Sequence, residues 1–264
     1  MKFLHPVLLS VFISFSVSSA TAAESSPFYF GLSNAKGDQV ILYNHDENIP
    51  GQLHAILPSG GNCLLTFVEK RARKPEDTGR QTAKNFDNLG GVVFQAPKEC
   101  LAGDRTVVLI DSDHLDKHTP VPVKPDEFSP VDSADITRIE SAKKMKVQSS
   151  WNLAGLGPDA TIALVQFLPQ RNKNIASLVL ITKKHLVFED YRGSTKNNNS
   201  VWRVDDGGIL NPRDFQILAA FRTPSGIELI RAWAGFEGES AALLREEGAK
   251  FLTVLTQYRY WVGL

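Results

Sequence analysis

Short apolar runs rich in Val, Ile, Leu and Phe, each broken by Gly, Pro, Asn or Asp, follow one another along most of the chain. Val40 to Tyr43, Cys63 to Val68, Val92 to Gln95, Thr106 to Ile110, Thr161 to Leu168 and Ser177 to Thr182 have the length and side-chain branching of strands. In the C-terminal third, Arg222 to Gly226 and Glu246 to Gly248 read as hairpin turns between Glu228 to Trp233, Ala241 to Arg245 and Phe251 to Thr256. The Ala, Leu and Glu content of Glu239 to Leu255 would also suit a helix. Gly248 in its middle, followed by Phe-Leu-Thr-Val-Leu, favours the hairpin. One stretch departs from the pattern. Asp132 to Lys146 carries Ser133 and acidic residues at its start, lysines at its end, and Ile136, Ile139 and Met145 as a thin apolar face, which predicts an amphipathic helix. The expectation is a mainly β chain, built as an antiparallel sandwich or as propeller-like sheets in two halves, with one short helix at the junction.

The first residues follow a different rule. Lys2, the apolar run Val7 to Val17, and small residues through Ala20-Thr21-Ala22 match an export signal with cleavage after Ala22. The run is shorter than the about 18 apolar residues that a membrane span needs, and no later segment approaches that length. No Cys follows the cleavage region to receive a lipid anchor. Four prolines within His118 to Val131 mark a boundary, because proline removes backbone donors and holds the chain extended. The expected organisation is a signal peptide at 1–22, an N-terminal β domain at 23–118, a Pro-rich linker at 119–131, and a helix plus C-terminal β domain at 132–264. Thr106 to Leu115 and Ser177 to Leu186 resemble each other, which raises a duplication of the two halves, although apolar strands match one another easily.

Charge narrows the partners. Without residues 1–22 the chain holds 28 Lys and Arg against 29 Asp and Glu, so it has no global field to collect nucleic acid or anionic membrane. Cys63 and Cys100 are its two cysteines, and in an exported chain they are read as a disulfide.

Candidate chemistry is sparse. Asp111, Asp113, His114 and His118 are dense enough in metal-ligating groups to suggest a divalent cation. Leu115 in place of a fifth-position ligand and the lack of a turn glycine argue for a solvated loop instead. Trp202, Arg203, Asp205 and Asp206 combine an aromatic ring, a guanidinium and two carboxylates around a turn, which suits a recognition patch. His45-Asp46-Glu47 reads as an exposed turn. Ser33-Asn-Ala-Lys36 and Ser141-Ala-Lys-Lys144 match Ser-x-x-Lys without the partner elements of a penicilloyl transferase. Glu237 and Glu239, two residues apart on a strand, stand too close for either glycosidase geometry. Tyr258-Arg-Tyr-Trp261 reads as a closing strand with its aromatics on alternate faces.

These residues assemble no catalytic set, and no cofactor is expected. The leading expectation is a periplasmic or secreted, non-enzymatic protein that binds a protein partner of the envelope, either a component of it or a toxin or hydrolase that it neutralises. A metal-dependent hydrolase is the first alternative. A carbohydrate-binding module using Trp202 and Tyr258 to Trp261 as stacking platforms is the second.

Overall fold

The computed structural model describes residues 26–43, 49–170, 173–196, 199–202 and 208–262. It is mainly β and antiparallel, with one α-helix among the described residues. Six strands, β1 (Phe28–Ser33), β2 (Gln39–Tyr43), β3 (Gln52–Ile56), β4 (Asn62–Arg71), β5 (Gly91–Gln95) and β6 (Thr106–Asp111), close into a barrel in the order β1-β2-β5-β4-β3-β6. Their alternation sends Val40, Leu42, Leu53, Ala55, Leu65, Val92, Phe94, Val107 and Leu109 inward, and closure leaves no exposed edge. On the outer side, Ile41, Tyr43 and Val93 are covered by Phe86 and Leu89 from a 3-10 turn and its end. Cys63 and Cys100 form a disulfide that ties β4 to the loop after β5, with the Cα atoms 6.6 Å apart.

The loop between β4 and β5 is organised by Asp77. Its carboxylate accepts from Asn85 Nδ2 at 2.6 Å and from the Gly79 amide at 2.7 Å, and pairs with Arg73 Nε at 2.5 Å. Burial alone would raise the Asp77 pKa, but these three donors outweigh it and hold the carboxyl below the usual range. A depressed folded pKa gives stability that is complete above the unfolded value and is lost as pH falls through the folded one. Asp77→Asn is therefore expected to cost about 1 to 2 kcal/mol at neutral pH. In urea titrations across pH, the gap to wild type should close below about pH 4.

The rest of the chain forms a second, larger sheet. After β7 (Thr119–Pro120), β8 (Val123–Pro125) and the helix α1 (Ser133–Lys143) come β9 (Val147–Leu156), β10 (Ala160–Phe167), β11 (Lys173–Thr182), β12 (Leu186–Lys196) and β13 (Asn199–Val201). Then follow β14 (Phe215–Thr223), β15 (Gly226–Ala234), β16 (Gly238–Glu247) and β17 (Lys250–Tyr260). Strands β9 to β12 form one antiparallel meander and β14 to β17 another. The Pro-rich stretch joins them on one side. β7 pairs with β14, β8 pairs with β9, and the Val121 amide donates to Ala220 O at 2.8 Å. On the other side the join is a single parallel bridge, Phe188 to Lys250.

Burial explains the layering. Ile162, Leu164, Leu178 and Leu180 of the first meander meet Phe215, Ile217, Leu229 and Leu244 of the second. The far face of the second meander, with Ala219, Phe221, Ile230 and Leu243, packs on Phe28, Phe30, Val108 and Ile110 of the barrel. Ile139 of α1 covers Ala163, Val165, Val179 and Ile181 on the far face of the first. Because the middles of β14 to β16 are buried on both faces, Ala241 to Leu244 run apolar without alternation, which is why they resemble a helix in sequence. The helix N-cap is Asp132, whose side chain takes the Ala134 amide at 2.8 Å, rather than Ser133. The six-stranded barrel and the paired meanders have different topologies, so the likeness of Thr106–Leu115 to Ser177–Leu186 reflects shared strand character.

Candidate functional site

Strand register brings together, at one end of the sandwich, residues far apart in sequence. Phe215, Trp233, Ser240 and Tyr258 lie in one cross-strand row of the second meander, and Ile217, Arg231, Ala242 and Thr256 in the next. Facing them, β12 contributes Glu189 and Tyr191. Arg231 binds Glu189 through Nη2 to Oε1 at 2.6 Å and Nε to Oε2 at 3.2 Å, while its Nη1 donates to Ser240 O at 3.2 Å. The Tyr191 hydroxyl donates to Glu189 Oε2. Aromatic rings wall the pair in. Tyr191 lies 4.8 Å from Trp233 and 5.6 Å from Phe215, Trp233 stacks on Phe215 at 4.8 Å, and Trp151 and Trp202 pack against the same core.

Burial alone would discharge Arg231, but Tyr191 and Glu189 keep its pKa above the ordinary value. Burial pushes the Tyr191 hydroxyl well above its usual range; Arg231 opposes this and Glu189 reinforces it. Tyr191 is thus a neutral donor and Arg231 a fixed cation. The cluster's composition of Trp, Tyr and Arg is that of binding hot spots.

Beside this end the sandwich is open. β17 pairs with β16 along its length, but its other edge meets Phe188 only at Lys250, and Gln81 only at Tyr260. At Tyr260 the amide donates to Gln81 Oε1 and the carbonyl accepts the Gln81 amide, both at 2.7 Å. Between these points, among the described residues, no strand pairs with the edge. From Lys250 to Tyr260 the edge spans about 30 Å. Phe251 to Tyr258 (FLTVLTQY) contains no charge and no proline, and Leu252, Val254 and Tyr258 are 46%, 37% and 47% exposed. Charge or proline is the usual shield of an exposed edge, and the stretch Phe251 to Tyr258 lacks both.

The candidate metal ligands Asp111, Asp113, His114 and His118 are not brought together. Asp111 accepts the Asp113 amide at 3.1 Å to cap a 3-10 turn, and His114 Nδ1 stands 4.0 Å from Asp111 Oδ2. His118 turns into the core. Its Nε2 is 3.3 Å from Glu228 Oε2, its Nδ1 2.8 Å from His114 O, and its ring meets Phe28 edge-on at 5.1 Å. Among the described residues no three His, Cys, Asp or Glu side chains are grouped to hold a metal ion. Trp202 packs against the core between the two meanders, whereas Arg203, Asp205, Asp206, His45 to Glu47 and Ala22 lie outside the described residues.

Tyr258 and Arg259 take opposite faces of β17. Arg259 is buried against the barrel, with Nη2 2.6 Å from Asp104 Oδ1 and Nε donating to Gln81 O at 2.9 Å. Glu239 accepts the Thr106 hydroxyl and lies 3.9 Å from Arg259, so its carboxylate belongs to the joint between barrel and sandwich. Glu189, Tyr191 and Arg231 escape a reading by sequence motif. The one local signal is Arg231 itself, a charge at a core-facing position of an apolar strand. No family model, curated protein or solved structure matches the chain.

Proposed function

We propose that this chain is an exported, non-enzymatic protein that binds an envelope protein partner, a component or a toxin or hydrolase it neutralises, by taking an extended segment of it onto the edge of β17. The uncharged, exposed edge at Phe251 to Tyr258 carries this reading. A strand added there makes main-chain hydrogen bonds for affinity, and its alternate side chains meet the aromatic end for specificity. The hydrolase alternative loses support because His118 is committed to Glu228.

Tyr260 turns its amide and carbonyl away from β16, so by the two-residue period Thr256 does the same. Thr256→Pro removes one outward donor and leaves the β16 ladder intact. Tagged residues 23–264 passed through an envelope extract of the source are expected to retain one near-stoichiometric protein. Thr256→Pro should weaken that capture by roughly tenfold, one main-chain bond's worth, with an unchanged melting temperature. An empty eluate overturns the reading; equal capture by Thr256→Pro removes β17 as the contact.

Carbohydrate is the second reading, favoured by three partly buried tryptophans, Trp151, Trp202 and Trp233, around one core. It predicts glycan binding that Trp202→Ala abolishes.

A further inference from the structure

The opposite end of the sandwich has other chemistry. There the turns after β9, β11 and β14 surround a cleft of about 720 Å³. Lys183, Lys184 and His185 enter it from the first meander and Arg222 from the second, against the two carboxylates Asp159 and Glu246. Both carboxylates are engaged. Asp159 lies 3.7 Å from Lys183 Nζ. Glu246 takes His185 Nε2 at 2.8 Å on one oxygen and the Ile227 amide at 2.9 Å on the other. Gly226, at φ +136°, lets Glu246 approach so closely that a Cβ there would fall 2.7 Å from its Oε2.

The cationic turn is also held in place. Thr182 Oγ1 accepts the His185 amide at 3.0 Å and the Lys184 amide at 3.3 Å, and donates to His185 O at 2.9 Å. Lys183, Lys184 and Arg222 outnumber the two carboxylates Asp159 and Glu246, so the cleft is net positive, with the ammonium of Lys184 and the guanidinium of Arg222 coming from opposing walls. A guanidinium fork beside an ammonium matches the oxygens of a phosphoryl group.

We infer that this cleft binds a phosphate-bearing ligand, gripped by Lys184 and Arg222 with His185 held alongside by Glu246. The site is separate from β17, so it stands or falls independently of the binding proposed there. The group could belong to a free phosphomonoester or to a phospholipid headgroup. Calorimetric titration of the mature protein with inorganic phosphate and with glycerol phosphate, at constant ionic strength set by chloride, should show saturable binding. The double variant Lys184→Gln/Arg222→Gln should weaken it by at least about tenfold, while Thr256→Pro leaves it unchanged. Co-sedimentation with phosphatidylglycerol vesicles, against phosphatidylcholine vesicles, decides the source: binding to the former that the double variant loses points to a headgroup, and its absence with phosphate binding retained points to a soluble ester. Failure of both phosphates and the vesicles to bind above the chloride control overturns the inference. Binding that survives in a folded double variant also overturns it.

Discussion

Arg231→Met, with Glu189 left in place, is expected to lower the unfolding free energy by about 3 to 5 kcal/mol, because it strands an unpaired carboxylate between two meanders. Arg231 and Glu189 are 7% and 9% exposed, and Arg231 supplies two of the bonds to Glu189. The double replacement Arg231→Met/Glu189→Met should recover most of that loss, since a buried ion pair exchanged for apolar side chains is often neutral or better. Tyr191→Phe, which removes one donor to a charged acceptor, should cost about 1.5 to 3 kcal/mol. Urea unfolding of the three variants checks the set. A single variant within about 1 kcal/mol of wild type would mean that Glu189 reaches water, and the aromatic end would then be open rather than packed.

Loss of the Cys63–Cys100 bond is expected to cost about 4 kcal/mol in the loop-entropy account, from the 37-residue separation it closes. That is a large share of the 5 to 15 kcal/mol typical of a folded domain. The loss should fall on the barrel, where the bond anchors the loop carrying Leu101 to β4 beside Val107 and Leu65. Cys63→Ser/Cys100→Ser and dithiothreitol-treated wild type should shift to lower urea together. A change below about 1 kcal/mol would show that barrel closure alone fixes the loop.

What could be read in advance follows from burial. β5 and β6 are legible because short apolar runs end at glycines, prolines and aspartates. The hairpin at Gly248 is legible because a glycine at φ +60° interrupts a run that otherwise suits a helix. β12 is obscured by its own site residues: Glu189 and Tyr191 face the core, so the run Leu186–Lys196 lacks the alternation that marks a strand. The Arg231–Glu189 pair joins residues 42 positions apart, and only the facing of two meanders brings them together. His118 shows the converse. It is close to Asp111 and Asp113 in sequence, yet Glu228, from another strand, takes it elsewhere. The openness of β17 is likewise a property of register, since it depends on where β12 stops pairing.

The account rests most on that open edge, and amide hydrogen exchange on residues 23–264 alone tests it directly. In β17, Leu255 and Gln257 donate toward β16 whereas Thr256 donates outward. The expected result is an alternation, with Leu255 and Gln257 protected by roughly a thousandfold or more and Thr256 exchanging near the rate of an unstructured chain. Thr256 protected as strongly as its two neighbours would mean that the edge is already covered, and the proposed docking of a partner strand would be contradicted.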